Sequence, residues 1–269
     1  MAAMPAKPKL GQNFLVDAQA VERIVAALGD LAGRTVVEIG PGRGAITGAL
    51  AARAGHVLAI EIDRELAAGL RPRFPAERLT VIEQDVLGFD FSRAQGEVRA
   101  AGERLRVVGN LPYYITSPIL LKLARSHAAF DFAVLMAQRE VADRIVAVPG
   151  SRDYGLLSVT VQMYGQVERL FTLPPSAFSP PPEVHSTVFR WRFAPRFEEL
   201  GVEETGFLLF VRQAFAQKRK TLGNNLRAAG IAPARAAAVL ERAGIDLQAR
   251  AEALPVEAFA ALWRVLQAG

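Results

Sequence analysis

The sequence contains no cysteine, no long apolar run and only three histidines among 269 residues. Without cysteine the chain cannot form disulfides, zinc–thiolate sites or a cysteine nucleophile, and we predict no metal site. No stretch of about 18 uncharged apolar residues occurs, so we expect no transmembrane helix. Residues 1–16 also lack an apolar core of signal-peptide length, which predicts a cytoplasmic protein.

Lysine is scarce as well, since 27 of the 32 basic residues are arginine. The formal net charge is +5 and the isoelectric point is about 9.9. Arginine forms forked contacts with phosphate, so this composition fits a nucleic-acid partner. A GC-rich or thermophilic source would favour arginine too, and composition alone leaves both explanations open. Because the charge is not segregated along the chain, any binding surface must arise mainly from folding.

Apolar segments of strand length alternate with helical patterns in the first half of the chain. This alternation predicts an α/β fold with a parallel, doubly wound, Rossmann-like sheet. The predicted strands cover residues 35–39, 56–60, 79–83, 105–108 and 132–136, with closing strands over 167–173 and 187–193. The predicted helices cover residues 18–28, 45–54, 63–74, 117–126 and 139–146.

The pattern changes near residue 195, where Pro195 breaks the last predicted strand. Only helical periodicity follows it. The predicted helices there cover residues 203–216, 221–229, 233–243 and 255–267. We therefore divide the chain into an α/β domain, residues 1–194, and a small all-helical domain, residues 195–269.

A glycine-rich turn joins the first predicted strand to the helix that follows it. Residues 38–44 read Glu-Ile-Gly-Pro-Gly-Arg-Gly, so Gly40 and Gly42 allow a ligand to approach the backbone closely. Glu61 ends the next strand, where a carboxylate can accept hydrogen bonds from ribose hydroxyls. The ligand could be NAD or S-adenosylmethionine. An NAD site prefers a wider glycine spacing, so this turn favours S-adenosylmethionine.

Two polar side chains lie at the ends of later strands. Asp85 follows the third strand, where it can accept from an adenine amino group or simply cap a loop or helix. Asn110 follows the fourth strand and begins the step Asn110-Leu111-Pro112-Tyr113. An amide, backbone carbonyls and an aromatic ring together suit a flat ring with an exocyclic amine, such as adenine.

Several segments, in this order along the chain, resemble the ribosomal RNA adenine dimethyltransferases. They cover residues 9–15, 38–44, 61–63, 84–85, 110–113, 138–141, 154–159, 178–184 and 214–222. The resemblance implies a class I methyltransferase sheet in residues 1–194 that binds S-adenosylmethionine, and an RNA-binding role for residues 195–269. It also implies cofactor-binding roles for one set of residues, namely Asn13, Leu15, Gly40, Gly42, Glu61, Asp85 and Asn110.

Within that family the chain is similar to the small-subunit, KsgA-type branch. The resemblance implies transfer of two methyl groups to N6 of each of two adjacent adenosines near the 3′ end of 16S ribosomal RNA. The sister branch methylates large-subunit RNA in macrolide resistance and tends to have isoleucine after the asparagine. Leu111 and the three prolines 180–182 therefore favour the small-subunit branch. A ribosome-assembly factor with secondary methylation remains an alternative. We expect a monomer whose partner is 16S ribosomal RNA within the small subunit.

The same motifs suggest how the base is held. We predict that the Asn110 oxygen and a backbone carbonyl of Leu111 or Pro112 accept hydrogen bonds from N6 and so make it a better nucleophile. We predict that Tyr113 stacks on one face of the base. Phe178 is the candidate for the opposite face, and its alternative role is core packing.

The densest basic cluster lies near the second domain's first two helices. Lys218, Arg219 and Lys220 are consecutive, and Arg212 precedes them by about two helical turns. We predict that these four residues contact RNA phosphates. The alternative is a solvated helix face without a partner.

Overall fold

The computed structural model describes residues 12–97 and 104–268. The first three residues of the 9–15 motif lie outside these ranges. The chain divides into two compact units, of which the first comprises Met1–Ala142 and Glu168–Phe193 and the second comprises Asp143–Val167 and Ala194–Gly269. The predicted boundary near residue 195 has a counterpart at residues 193/194. The inclusion of residues 143–167 in the helical unit was not expected from the sequence.

The first unit is built on a seven-stranded sheet. Its strands are β2 Thr35–Ile39, β3 His56–Glu61, β4 Leu79–Glu83, β5 Leu105–Asn110, β6 Phe130–Gln138, β7 Gly165–Leu173 and β9 Ser186–Phe193. Their order in the sheet is β4-β3-β2-β5-β6-β9-β7. Strands β4, β3, β2, β5 and β6 are parallel, whereas β9 pairs antiparallel with β6. The predicted α/β sheet is therefore confirmed.

A second, two-stranded pairing joins distant parts of the chain. Strand β1, Phe14–Leu15, pairs antiparallel with β8, Phe178–Ser179, and Leu15 lies opposite Phe178. Sequence periodicity did not predict this pair because two residues are too few to show an alternation. The pairing ties the segment before the first helix to the proline-rich segment before β9.

The helices of the first unit follow the prediction, with two exceptions. They are α1 Ala18–Ala27, α2 Ala45–Arg53, α3 Arg64–Leu70, α4 Phe91–Glu97 and α5 Thr116–Arg125, and α6 Arg139–Val146 begins in this unit. Helix α4 was not predicted, and α3 ends at Leu70 instead of near residue 74. Asp17 caps α1, because its Oδ1 accepts the amides of Gln19 and Ala20. The central strands β5 and β6 are almost entirely buried, as is typical of a sheet covered on both faces.

The second unit contains five further helices among the described residues. They are α7 Leu156–Met163, α8 Glu204–Ala214, α9 Leu222–Ala228, α10 Pro233–Arg242 and α11 Val256–Gln267. Helix α7 was not predicted, since Val159, Thr160 and Val161 have branched side chains that favour strands. Two tertiary hydrogen bonds stabilise it. The Tyr154 hydroxyl, before the helix, donates to Leu254 O at 2.9 Å, and the Tyr164 hydroxyl, after the helix, donates to Glu204 Oε1 at 2.6 Å.

The strand order places a crevice in the first unit. The chain leaves β2 to build β3 and β4 on one side and returns to build β5 and β6 on the other. Ligands of doubly wound sheets bind at this reversal, beyond the carboxyl ends of the strands. Ile39 of β2 and Gly109 of β5 are register partners there. None of the described helices has the length and apolarity that a membrane span needs.

Candidate active site at the carboxyl ends of the strands

An open cavity lies at the point where the strand order reverses. Its walls come from the β1 segment, the glycine turn after β2, the ends of β3 and β4, and the loop after β5. Every residue that was predicted to bind the cofactor lines this cavity. Three further predicted catalytic residues, Leu111, Pro112 and Tyr113, line it as well. Together, the predicted residues that line the cavity are Asn13, Leu15, Gly40, Gly42, Glu61, Asp85, Asn110, Leu111, Pro112 and Tyr113.

The glycine turn packs too closely for larger residues. Gly42 has a φ of +55°, in the left-handed region that favours glycine. A Cβ atom on Gly42 would lie 3.0 Å from the Phe14 ring, which belongs to β1. Gly109 is restricted as well, since a Cβ there would lie 2.9 Å from the Ile39 carbonyl oxygen. The backbone therefore forms a narrow cradle with Phe14 covering one side.

Glu61 ties the end of β3 to this turn. Its carboxylate accepts the Gly42 amide at 3.0 Å through Oε2 and the Asp63 amide at 3.0 Å through Oε1. The side chain is only 3 % exposed, yet it lines the cavity. A carboxylate has about four acceptor sites, so two remain for other donors. Glu61 can therefore accept hydrogen bonds from ribose hydroxyls while it holds the turn.

Glu38 is a second carboxyl group in the cavity wall, and the sequence analysis gave it no role. It is 2 % exposed, and the Thr47 hydroxyl donates to its Oε2 at 2.6 Å. The pKa of Glu38 is raised to about 7, chiefly by burial and to a smaller extent by the nearby Glu61, while hydrogen bonds with Thr47 oppose the rise. The cavity wall therefore contains one carboxyl group that keeps its proton to a higher pH than an ordinary glutamate does.

The raised pKa of Glu38 makes stability depend on pH. The folded protein keeps a proton on Glu38, whereas the unfolded chain releases it above the ordinary glutamate pKa of 4.5. Relative to Glu38→Gln, the wild type should be most stable below that pH and lose about 3 kcal/mol as the pH rises through about 7. Urea unfolding of both proteins at about pH 4 and pH 8 measures the difference. A wild-type-to-variant difference that stays constant with pH would contradict the prediction.

Asn110 is oriented by the segment before β1. Its Nδ2 donates to the Asn13 carbonyl oxygen at 3.0 Å, which fixes the orientation of the side-chain amide. Within residues 12–97 and 104–268, no donor reaches Asn110 Oδ1. The side-chain oxygen at the end of β5 is therefore available to a ligand in the cavity.

The two carbonyls after Asn110 differ in their hydrogen bonds. The Pro112 carbonyl accepts the Ile115 amide at 3.1 Å and the Thr116 hydroxyl at 3.0 Å, which occupies both of its lone pairs. The Leu111 amide donates to Met136 O at 2.9 Å, and none of the described donors reaches the Leu111 carbonyl. Between the two predicted acceptors, the geometry favours Leu111.

Tyr113 and Tyr114 follow on a short turn at the cavity edge. The half-buried Tyr113 hydroxyl lies 2.8 Å from Ser186 Oγ, and burial raises its pKa while the Ser186 hydrogen bond opposes the rise. Tyr114 is 60 % exposed. Neither Ser186 nor Thr116 belongs to the residues that were predicted to form the site. Ser186 carries no local signal, because it contacts Tyr113 across 73 positions of sequence, whereas Thr116 lies only four positions after Pro112.

Phe178 lies behind the cavity wall rather than in it. It is 3 % exposed, belongs to the buried apolar cluster that includes Leu15 and Ala177, and is not among the residues that line the cavity. Its pairing with Leu15 connects it to the wall from the core side. This burial favours the alternative role of core packing, and stacking on the target base stays a prediction.

The basic cluster is exposed on the second unit. Arg212 lies on α8, and Lys218, Arg219 and Lys220 lie in the connection between α8 and α9. Asn225, which is 2 % exposed, holds that connection in place. Its Nδ2 donates to Ala214 O at 2.7 Å, and its Oδ1 accepts the Gln217 amide at 3.0 Å. The three consecutive cations are therefore presented by an ordered loop.

The cavity residues fit S-adenosylmethionine. The backbone of Gly40 and Gly42 lines the cavity without side chains, and Glu61 offers acceptors for hydroxyl groups. Asp85 lines the cavity at the end of β4 while its Oδ1 also caps the following turn by accepting the Leu87 amide at 2.9 Å. Both roles considered for Asp85 are thus compatible with one position.

Comparisons with known proteins agree with this fit. The family model for ribosomal RNA adenine dimethylase matches residues 4–268. A protein of Acidobacterium capsulatum named ribosomal RNA small subunit methyltransferase A is 62% identical, over 97% of this chain and 91% of the relative. A protein of Koribacter versatilis with the same name is 54% identical, over 98% of this chain and 95% of the relative.

Solved structures resemble the chain as well. A dimethyladenosine transferase from Plasmodium falciparum superposes with a TM-score of 0.77 at 24% identity, covering 93% of this chain and 95% of the other, which supports the fold. The 23S rRNA methyltransferase ErmE has a TM-score of 0.68 at 26% identity, covering 95% of this chain and all of the other. With the family model spanning nearly the whole sequence, the chain belongs to the ribosomal RNA adenine dimethylase family and is an S-adenosylmethionine-dependent methyltransferase.

Proposed function

We propose that the chain dimethylates N6 of two adjacent adenosines near the 3′ end of 16S ribosomal RNA in the small ribosomal subunit, and so takes part in subunit maturation. The observation that carries the chemistry is the pair of available acceptors, Asn110 Oδ1 and Leu111 O, beside the cofactor cavity. The choice of subunit rests on relatives named for the small subunit at 62% and 54% identity, against 26% for ErmE.

The acceptors address the weak point of the reaction. The N6 lone pair of adenine is delocalised into the ring, so the amine is a poor nucleophile. Acceptors on both N6 hydrogens would localise the lone pair as positive charge develops on the nitrogen. The cofactor, when bound, would supply a methyl group on a sulfonium, whose sulfur leaves as a neutral thioether, and the methylated amine would then release one N6 proton to solvent. We therefore propose that positioning by Asn110 and Leu111 supplies most of the rate and that no separate strong base acts.

The target base must leave its RNA context to reach these acceptors. We propose that Tyr113 receives one face of the base, a contact worth roughly 1–3 kcal/mol. Its ring lines the cavity two residues after Leu111, so the acceptors and the stacking surface come from one short loop. Phe178 remains the proposed second stacking residue, with the burial described above as the argument against it.

Methyl mapping tests the overall proposal. Small-subunit particles and large-subunit RNA are incubated separately with the protein and S-adenosylmethionine, and the RNA is digested for mass spectrometry. We expect two methyl groups on each of two adjacent adenosines of the small-subunit RNA. Methylation of large-subunit RNA alone would support the macrolide-resistance type instead. Binding to immature particles without methylation would favour the assembly-factor alternative.

We further propose that the second unit holds the RNA through its basic cluster. Changing Lys218, Arg219 and Lys220 to glutamine should lower affinity for the small-subunit particle about tenfold or more. The slope of log affinity against log salt should become shallower by roughly two to three, because each lost phosphate contact releases about one counterion fewer. Filter binding over a salt series measures both quantities.

A matched control removes the same charge elsewhere. Arg64, Arg125 and Arg242 are exposed and lie outside the cluster, so their change to glutamine should leave the salt slope nearly unaltered. Equal losses in the two triple variants would mean that net charge, rather than this loop, drives binding.

We propose that the protein acts as a cytoplasmic monomer, which sedimentation of the free protein tests.

A further inference from the structure

We propose that Ser186 is a positioning residue that fixes where the Tyr113 ring lies, and that it acts on the reaction only through that ring. The inference deepens the proposed function, because it rests on Tyr113 receiving the target base. Ser186 does not line the cavity, and it is fully buried at 0 % exposure. Its hydroxyl nevertheless lies 2.8 Å from the Tyr113 hydroxyl.

The sheet holds Ser186 firmly. It is the first residue of β9, which lies between β6 and β7 in the strand order, and it is the register partner of Gln138. The residue before Ser186 is held as well, because the Arg139 amide donates to His185 O at 2.9 Å. A hydroxyl mounted on such a strand is a rigid anchor point for a loop side chain.

The other end of Tyr113 is held by its own loop. The preceding Pro112 has a φ of −58°, and its carbonyl accepts both the Ile115 amide and the Thr116 hydroxyl. Tyr113 is thus attached at its backbone and at its hydroxyl. Because a tyrosine hydroxyl lies on the long axis of the ring, the bond to Ser186 restrains the swing of that axis at χ1.

This two-point attachment matters for a half-buried ring at a cavity edge. Without Ser186, the ring could swing among side-chain rotamers and would have to be ordered each time a base enters. With Ser186, the ring is already in place before the base binds, so the conformational entropy of ordering it is lost during folding and not during binding. A small misplacement of a stacking group is enough to reduce turnover substantially.

Four proteins test the inference by a double-mutant cycle: wild type, Ser186→Ala, Tyr113→Phe and the double variant. Methylation of small-subunit particles should fall about tenfold in kcat/KM for each single variant, with the cofactor Kd unchanged. The double variant should fall no further than either single variant, because both remove the same bond. Multiplied losses in the double variant, or full activity of Ser186→Ala, would overturn the inference.

The neighbouring Thr187 provides a matched control for simple destabilisation. It is also fully buried in β9, and its hydroxyl lies 3.0 Å from that of Thr172 instead of Tyr113. Thr187→Val removes a buried hydroxyl from the same strand and should leave kcat/KM within about twofold of wild type. If Thr187→Val loses as much activity as Ser186→Ala, the effect of Ser186 is structural and the inference fails.

Tyrosine resonances test the contact without RNA, which separates this inference from the proposed function. The chain has four tyrosines, so ring-¹³C labelling gives a small set of signals, and Tyr113→Phe identifies the one that matters. Ser186→Ala should shift the Tyr113 signal and leave those of Tyr154 and Tyr164 unchanged. An unmoved Tyr113 signal overturns the inference even if the RNA is methylated as proposed. Failure of the wild type to methylate small-subunit RNA overturns the proposed function instead.

Discussion

Asn110→Ala is expected to lower the rate of methyl transfer by about 10²–10³-fold or more, because one of two acceptors for the N6 hydrogens disappears. The fold should survive, since the only described hydrogen bond lost from the Asn110 side chain is its donation to Asn13 O at 3.0 Å. Single-turnover methylation of small-subunit particles measures the rate. Calorimetric titration with S-adenosylmethionine should show a smaller loss, of about tenfold at most.

The neighbouring residue offers a matched control for Asn110. Leu111 is fully buried, and its proposed role belongs to its backbone carbonyl. Leu111→Ile keeps that carbonyl and nearly the same side-chain volume, so methylation should stay within a few-fold of wild type. Near-normal turnover by Asn110→Ala would reject the acceptor assignment. A collapse of Leu111→Ile comparable to Asn110→Ala would instead show that packing of this loop, and not its acceptors, limits the rate.

Glu61→Gln is expected to weaken S-adenosylmethionine binding about 100-fold. The carboxylate now accepts the amides of Gly42 and Asp63, both at 3.0 Å, and has lone pairs left for the cofactor. A carboxamide would direct its NH₂ group at one of those amides, where two donors would face each other. Hydrogen bonds to charged groups are worth about 1.5–3 kcal/mol each, so loss of one or two accounts for this magnitude. Calorimetric titration measures the dissociation constant.

The register of the sheet supplies the control for Glu61. Glu83 is its direct partner on β4, but Glu83 is exposed, lies 3.8 Å from Arg71 and does not line the cavity. Glu83→Gln should leave cofactor affinity within about twofold, since an exposed ion pair of this kind contributes little. Similar affinities for the two variants would exclude the proposed role of Glu61.

Most of the secondary structure could be predicted from local pattern. The strand Thr35–Ile39 and the helix Arg139–Val146 have the predicted bounds, because short apolar runs and helical spacing are set by the residues themselves. Strand β5 extends two residues further than predicted, to Asn110, since its parallel pairing with β6 continues to Met136. Helix α7 was missed because its branched residues favour strands, and only packing within the second unit makes it helical.

The candidate site was predictable to a similar extent. Motif spacing predicted the cofactor turn, Glu61 and the Asn110–Tyr113 step, since these are short segments at the ends of strands. Whether Leu111 or Pro112 offers the second acceptor could not be predicted, because the answer depends on Ile115 and Thr116 bonding to Pro112 O. The raised pKa of Glu38 could not be predicted from the sequence either, because it arises mainly from burial of the side chain in the folded protein.

The sequence by itself determined the family, the cofactor and most of the strands and helices, because these depend on residues near one another in the chain. Only the tertiary structure decided which atoms in the site are available and which side chains hold them. Ser186 contacts Tyr113 across 73 positions of sequence, and Leu15 lies opposite Phe178 across an even longer interval. Such contacts form only when the strands assemble into the sheets, and the hydrogen-bond partners and the burial of each side chain follow from that assembly.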